Sequence, residues 1–274
     1  MRTLRTGPMQ ADEYRKLAES EDRMWYFRAL HRRRAHWLAR LLPAGSAVAE
    51  PMADLRRPPV APPLRILDAG CGTGGFIKRL RSTHAAWWVT GVDLSPVACG
   101  LARERTGAEI TEGSVSALPF ADSAFDAVTT GDVLYHVEDV AAALREFARC
   151  VKPGGVVLVN EPAYRWLWSY HDEAVESKHR FTRPELVALF RAAGLQVRFA
   201  SYANLLALPM VVARRKFFPP TRPTSDVQVY PALIEAGFSA MAWLEQAWTG
   251  RGWPLPAGSS VFVAGVKPAA GEKG

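Results

Sequence analysis

The feature that most constrains the fold is the stretch RILDAGCGTGGF, residues 65–76, where four glycines fall within six positions after a short apolar run. Glycine costs about 0.5–1 kcal/mol relative to alanine inside regular structure, because the unfolded chain has more freedom to lose. Such a cluster therefore indicates a tight turn or a backbone that lies close to a ligand. The question is which ligand.

Strands and helices alternate from residue 64 onward. We predict strands at LRILDA, WWVTGVDL, AEITEG, FDAVTTGD and GVVLVNEP, with QVRFASY and SSVFVAGVKP as the last two. Helical segments such as GGFIKRLRS and SPVACGLARERT lie between most of them. This alternation predicts an α/β domain whose sheet is parallel, with helices on both faces.

The chain divides into four predicted regions. These are a helical cap at 1–42, a linker with six prolines at 43–63, the α/β domain at 64–268 and a flexible tail at 269–274. Two parts of the domain, at about 161–182 and 203–255, depart from the alternation. We expect them to form a cap or insertion over the sheet.

Composition limits the class of protein. The 274 residues are 49% hydrophobic and 22% charged, which suits one large domain with a smaller appended layer. The three cysteines form neither a CxxC pair nor a metal-ligand spacing, so we expect packed thiols in a reducing cytoplasm. The first residues do not resemble a signal peptide, and no run of 18 apolar residues predicts a membrane span.

The net charge of +7 is concentrated before the glycine cluster, where residues 1–63 hold 12 Lys and Arg against 7 Asp and Glu. Within this part, RALHRRRAHWLARLL is a basic helical stretch. Such a stretch suits nucleic acid, an anionic membrane or an acidic substrate, but a solvated helix face is the simpler interpretation. No nucleic-acid motif accompanies it, so we expect no nucleic-acid partner.

The glycine loop has two interpretations. Gly70, Gly72 and Gly75 satisfy the GxGxxG dinucleotide pattern, which is weak when it stands alone. The same loop is also an acidic residue, Asp68, followed by GxGxG. A carboxylate is a poor neighbour for a pyrophosphate but suits a ligand that carries an ammonium group. Asp93, at the end of the next predicted strand, is placed to accept hydrogen bonds from ribose hydroxyls.

The glycine loop and Asp93 are followed along the chain by GSVSALPF, FDAV and VKPGG. With these motifs in this order, residues 64–161 resemble a class I S-adenosylmethionine-dependent methyltransferase. MWYFRALHRRR and WSYHDEA…KHRFTRPELVALFRAAGL resemble a bacterial subgroup that methylates small molecules. The resemblance implies a Rossmann-like sheet of seven mostly parallel strands with helices on both faces, an N-terminal helical cap and an insertion after strand five. It implies S-adenosylmethionine as cofactor and S-adenosylhomocysteine as product.

The resemblance also implies roles for particular residues. The methionine moiety would lie along the glycine loop, ribose and adenine beside the second and third strands, and the sulfonium beside the fourth, with three aromatics as a lid. The implied cofactor-binding residues are Trp25, Tyr26, Phe27, Asp68, Gly70, Cys71, Gly72, Asp93, Leu94, Ser114, Val115, Gly131 and Asp132.

Methyl transfer from a sulfonium is an in-line displacement, so a base is needed only where the acceptor loses a proton. The candidate catalytic residues are His136, His171 and Asp132. His136 is equally interpretable as a structural residue between helix and loop. Asp132 has no evident acidic partner at helical or strand spacing, so we predict no metal.

A polar cluster after strand five either binds substrate or stabilises a loop; it comprises Glu161, His171, Asp172 and His179. The aromatics Trp166, Trp168, Tyr170 and Tyr202 either line an apolar acceptor pocket or pack the cap. The predicted substrate-binding residues are Tyr135, Glu161, Tyr164, Trp168, His171 and Tyr202.

The segment NLLALPMVVARRKFFPP joins apolar residues to a basic triplet. It suits either peripheral contact with a membrane or lipid-linked acceptor, or a buried helix that ends in solvated arginines. The leading hypothesis is a cytoplasmic bacterial methyltransferase, monomeric or homodimeric, acting on a secondary metabolite or lipid-linked intermediate. The alternatives are an NAD-type oxidoreductase and a non-catalytic cofactor-binding protein.

Overall fold

The computed structural model describes residues 11–43, 62–220 and 225–269. Most of the predicted proline-rich linker and nearly all of the predicted tail lie outside these residues. The seven predicted strands are present, and their bounds are β1 Arg65–Ala69, β2 Trp88–Asp93, β3 Glu109–Glu112, β4 Phe125–Gly131, β5 Val151–Pro162, β6 Gln196–Ala203 and β7 Ser260–Val266. The helices are α1 Ala11–Ser20, α2 Trp25–Leu41, α3 Gly75–Thr83, α4 Pro96–Thr106, α5 Val140–Cys150, α6 Tyr170–Ala174, α7 Arg183–Ala192, α8 Leu208–Val212 and α9 Ala232–Thr249.

The strands form one sheet in the order β3-β2-β1-β4-β5-β7-β6. The first five strands are parallel, and β7 runs antiparallel to both β5 and β6. The strand order reverses between β1 and β4, and open α/β sheets bind ligands at the carboxyl ends of strands near such a point. The predicted mostly parallel Rossmann-like sheet is therefore confirmed.

Local sequence signals explain where several helices begin. Ser95 caps α4 with its side chain on the amide of Ala98, and Pro96 occupies the first turn. Thr182 and Glu185 form a capping box at the start of α7, in agreement with the predicted threonine cap. These caps fix the helices that cross from one strand to the next.

The α2 helix belongs to the core of the domain. Leu38 is fully buried, and Trp37 stacks on Phe199 of β6 with ring centroids 4.1 Å apart. On the opposite face of the sheet, α5 and α7 cover a second apolar cluster. The two clusters lie on the two faces of the sheet and hold its central strands, from which the site is built.

The insertion after β5 contains a short 3₁₀ turn, Arg165–Leu167, and α6, as the loop or short-helix interpretation predicts. The segment 204–220 differs from the buried-helix interpretation, because no residue of α8 or of the following π-turn, Ala213–Phe217, is buried. Its arginines are not simply solvated either, since Arg214 and Arg215 both bond to Asp226. Among the described residues, no helix is both long and apolar enough to cross a bilayer.

Candidate active site

The glycine loop connects β1 to α3 with three residues in left-handed conformations. Gly70, Gly72 and Gly74 have φ angles of 76°, 51° and 84°. A Cβ atom on Gly70 would overlap the side chain of Val133, which follows β4. The loop is therefore restricted to glycine by conformation and by the close approach of the neighbouring loop.

Asp68, at the end of β1, is a buried carboxylate that uses only one of its oxygens. Its Oδ1 atom accepts a hydrogen bond from Arg34, while Oδ2 is buried without a partner. Burial raises the pKa of Asp68, and the Arg34 guanidinium opposes that rise. An unpartnered carboxylate oxygen beside the loop is suited to an ammonium group of a ligand.

Asp93, at the end of β2, ties the loop to the second strand. Its Oδ2 atom accepts from the amide of Gly72 at 2.8 Å, and its Oδ1 atom accepts from the amide of Ser95 at 2.9 Å. The following residue, Leu94, is an apolar side chain that is 58% exposed. A carboxylate and an exposed apolar side chain at adjacent positions suit a sugar and a flat ring system. After β3, Val115 is buried, while Ser114 accepts from a backbone amide of its own turn.

Asp132 follows β4 and has a φ angle of 57°. Its Oδ2 atom accepts from the Tyr26 hydroxyl at 2.8 Å, and its Oδ1 atom accepts from Nδ2 of Asn160 at 3.4 Å. The Tyr26 hydroxyl also lies 3.2 Å from Oγ of Ser260. Burial raises the pKa of Asp132 to about 6, against the effect of the Tyr26 hydrogen bond. Two predicted site residues from distant parts of the sequence thus meet at the carboxyl end of β4.

Two arginines that were expected on a solvated helix face are instead buried at this edge of the sheet. Arg33 donates to Oδ1 of Asn160 at 2.8 Å, and Arg34 donates to Oγ1 of Thr129 at 3.0 Å as well as to Asp68. The solvated-face interpretation was therefore wrong for these two residues. The helical spacing could have indicated that Arg34 is buried, because it lies four residues after Leu30 and four before Leu38, on the apolar side of α2.

The three predicted lid aromatics diverge. Trp25 stacks on Phe238 of α9, with ring centroids 4.9 Å apart, and so packs against that helix. Phe27 contacts the edge of Tyr26, and only Tyr26 reaches Asp132. The geometry supports Tyr26 as a site residue, whereas cofactor roles for Trp25 and Phe27 stay predictions.

The N-terminal helices also cover the glycine loop. The Leu17 side chain of α1 would lie 3.8 Å from a Cβ atom on Gly72. Glu21, just after α1, accepts from the Thr73 hydroxyl at 2.5 Å and pairs with Arg105 of α4. These contacts, which the sequence motifs did not indicate, attach α1 to the loop through side chains.

Glu161 orients the turn that follows β4. Its carboxylate accepts from the amides of Val133, Leu134 and Tyr135 at 3.2, 3.0 and 3.1 Å. Burial raises the pKa of Glu161 to about 8. The side chain is fully buried, so this geometry gives it a structural role and offers no support for the predicted contact with substrate.

The two candidate histidines are engaged elsewhere. His136 bonds to the backbone of Glu176, and burial lowers its pKa to about 4. The Nδ1 atom of His171 accepts from the amide of Asp226 at 2.9 Å, and burial lowers its pKa to about 4. Both imidazoles are neutral at pH 7 and tie loops together. Their catalytic roles stay predictions.

The remaining predicted substrate residues lie in the insertion, on β6 and, for Tyr135, in the turn after β4. Asp172 pairs with Arg180 at 2.6 Å, which favours a loop-stabilising network around His171. Tyr164 stacks on Tyr202, with ring centroids 4.8 Å apart. Trp168 is half-buried. Tyr135, in the turn that follows β4, is half-buried and lies beside His136, with ring centroids 3.8 Å apart.

The strand order, the glycine loop and the acids that end β1 and β2 together define a class I methyltransferase fold. Residues 67–159 match the family described as a methyltransferase domain. The chain is 36% identical over 155 residues to a malonyl-[acyl-carrier protein] O-methyltransferase of Erwinia pyrifoliae, covering 55% of this chain and 58% of that protein. It is 38% identical over 99 residues to a demethylmenaquinone methyltransferase of Chlorobaculum parvum, covering 36% and 41%.

A solved structure with the same fold is geranyl diphosphate C-methyltransferase from Streptomyces coelicolor. Its TM-score is 0.55 at 17% identity, and the match covers 85% of this chain and 78% of that one. The chain spans only about half the length of the curated relatives. The chain is thus similar to class I S-adenosylmethionine-dependent methyltransferases over a part that includes residues 67–159. The match to the methyltransferase domain favours methyl transfer over the oxidoreductase alternative.

Proposed function

We propose that this protein transfers a methyl group from S-adenosylmethionine to a small-molecule acceptor. The observation that carries the proposal is the Tyr26–Asp132 pair at the carboxyl end of β4, beside a glycine loop with an unpartnered buried carboxylate oxygen. When bound, S-adenosylmethionine supplies an electrophilic methyl group on a sulfonium.

The residues at the loop fit this cofactor. Asp68, through its unpartnered Oδ2 atom, is suited to the ammonium of the methionine moiety, and Arg34 to its carboxylate. Asp93 is suited to the ribose hydroxyls and Leu94 to the face of the adenine ring. In the bound state, the ligand ammonium would pair with Asp68 and the ligand carboxylate with Arg34. These two contacts would replace the single contact between Arg34 and Asp68.

Asp132 is the group best placed to accept a proton. With a pKa of about 6, it is mostly ionised at pH 7, and Tyr26 and Asn160 hold its two oxygens in place. An acceptor hydroxyl that reaches this pair can lose its proton to Asp132 as the bond to the methyl carbon forms. We therefore assign the base to this carboxylate rather than to His136 or His171.

The acceptor is proposed to be apolar, as a secondary metabolite or a lipid-linked intermediate. The stacked rings of Tyr164 and Trp166 in the insertion support this proposal, because Trp166 is 52% exposed and offers aromatic surface after β5. The relative named for demethylmenaquinone is consistent with such an acceptor. Peripheral contact with a membrane would give the protein access to it.

The test is incubation with methyl-labelled S-adenosylmethionine and an extract of the source organism, followed by solvent partition. We expect label in the organic phase, and Asp132→Asn should lower its transfer by about 100-fold or more while calorimetry shows retained cofactor binding. Asp93→Ala is the matched variant that should weaken cofactor binding itself.

Label confined to the aqueous phase would overturn the apolar acceptor but not methyl transfer. Cofactor binding without transfer to any fraction would instead favour the non-catalytic binding protein.

A further inference from the structure

The α9 helix buries its charged residues against the protein and leaves its solvent side without charge. Glu235 accepts from the amides of Trp25 and Tyr230 at 2.6 and 2.9 Å. Glu245, ten residues further on, is buried on the same side of the helix. These two glutamates are the only charged residues of α9, so no charge remains for the side that faces solvent.

That solvent side is apolar along the whole helix, and we name it the α9 outer face. Its large side chains, all exposed, are Leu233, Ile234, Met241, Trp243, Leu244 and Trp248. The other exposed positions of the helix are alanine or glycine. At 1.5 Å per residue, the 18 residues span about 27 Å. An exposed apolar surface of this extent marks a contact with a partner or a membrane.

Tryptophan extends this face beyond the end of the helix. Trp243 and Trp248 are 58% and 49% exposed, and Trp253 contacts Trp248 with ring centroids 4.6 Å apart. Tryptophan is enriched where membrane meets water, because its ring is apolar and its N–H group is polar. Three exposed tryptophans on one face are therefore more typical of a membrane contact than of an accidental apolar surface.

Cationic side chains lie at both ends of the α9 outer face. Arg251 is exposed just after the helix. At the other end, Arg23 and Arg28 line an open cavity of about 570 Å³ together with residues of the first turn of α9. The protein as a whole carries a net charge of +7. This distribution is complementary to an anionic bilayer surface, which attracts nearby Lys and Arg side chains.

We infer that the α9 outer face docks this protein on an anionic lipid bilayer. The face has no charged side chain with which to select a particular protein surface, and its tryptophans and flanking arginines suit a lipid interface. This inference goes beyond the proposed methyl transfer and does not depend on it. A second copy of the chain and a protein carrier are the competing occupants.

The test is flotation of the purified protein with unilamellar vesicles of phosphatidylglycerol and phosphatidylcholine, without cofactor or acceptor. The double variant Trp243→Gln/Trp248→Gln should bind about tenfold or more weakly, because two apolar anchors are lost without a change of charge. The matched control is Trp88→Gln, since Trp88 is 56% exposed at the start of β2, remote from α9. The control should bind like the wild type.

Supporting results are binding that falls with added salt, falls on pure phosphatidylcholine and falls selectively in the double variant. Absence of vesicle binding by the wild type would overturn the inference, as would equal loss in the Trp88 control. A dimer in light scattering that the double variant converts to a monomer would assign the face to a second copy. Circular dichroism shows that the variants are folded. Calorimetry of cofactor binding tests the proposed function separately, and a failure there leaves the vesicle result unaffected.

Discussion

The α2 and α9 helices both bury charged side chains beside the site, but they use them differently. Arg34 of α2 pairs with another side chain, Asp68, at the end of β1. On α9, Glu245 accepts from two backbone amides, those of Asn204 and Leu206, at 2.7 and 2.8 Å. The first kind of contact links a helix to the ligand site, whereas the second fixes the path of a loop.

The two helices also differ in their apolar sides. On α2 the apolar side is covered by the domain, with Leu38 fully buried. On α9 the apolar side faces solvent, as Leu233 and Trp243 show. Charge on the inside of a helix therefore does not reveal what lies on its outside. The buried charges are explained by their hydrogen-bond partners within the protein, whereas the exposed side of a helix indicates what the protein contacts outside itself.

The largest expected effect is that of breaking the α2 pair. Arg34→Met leaves Asp68 as a buried charge without its cationic partner, and we expect a loss of about 3–5 kcal/mol of unfolding free energy. Urea unfolding followed by circular dichroism measures it. The neighbouring variant Arg32→Met, at a half-buried position on α2, should change stability by less than about 0.5 kcal/mol.

The double variant Arg34→Met/Asp68→Asn tests the cause. Removing the second charge should restore part of the lost stability, because the penalty comes from an uncompensated buried carboxylate. If the double variant is less stable than Arg34→Met by the full effect of Asp68→Asn alone, the two residues are not coupled and the contrast between the helices fails.

A smaller effect is expected for the corresponding change on α9. Glu245→Ala leaves the buried amide of Asn204 and the part-buried amide of Leu206 without acceptors, which should cost about 2–3 kcal/mol of unfolding free energy. Thermal unfolding measures the change, with exposed Glu104→Ala of α4 as the matched control. Local loosening should show as faster amide hydrogen exchange at residues 204–206. Unchanged exchange there would argue against a loop-fixing role.

The parts of the fold and site that depend on local pattern could be predicted from the sequence. Alternating strands and helices predict the sheet, and the glycines of residues 70–75 predict the loop, because backbone conformation restricts residue choice there. Asp68 and Asp93 end predicted strands, and parallel strands bring their carboxyl ends to one edge. Their positions in the structure follow from the chain direction alone.

The contacts that join distant segments could not be predicted in this way. The hydrogen bond between Tyr26 and Asp132 depends on how α2 packs across the sheet, and no local pattern specifies that angle. The same holds for Arg33 and Asn160. The candidate histidines illustrate the converse, since His136 and His171 lie in suggestive positions but bond to loop backbone. Residue type and spacing identified candidates, and burial with its partners distinguished among them.

The smallest expected effect is that of changing Tyr26, in the first turn of α2. It tests whether α2, unlike α9, affects the protonation of a residue in the site. With a pKa of about 6, Asp132 should give an acid limb in which the rate falls tenfold per pH unit below that value. Tyr26 stabilises the ionised carboxylate, so Tyr26→Phe should raise the pKa and move the limb upward by about one unit, or about 1.4 kcal/mol. His136→Gln should leave the limb in place, because the pKa of His136 is about 4. A pH–rate profile that shifts in the His136 variant and not in the Tyr26 variant would indicate that the His136 imidazole is the base. It would also show that α2 does not set the pKa of the catalytic group.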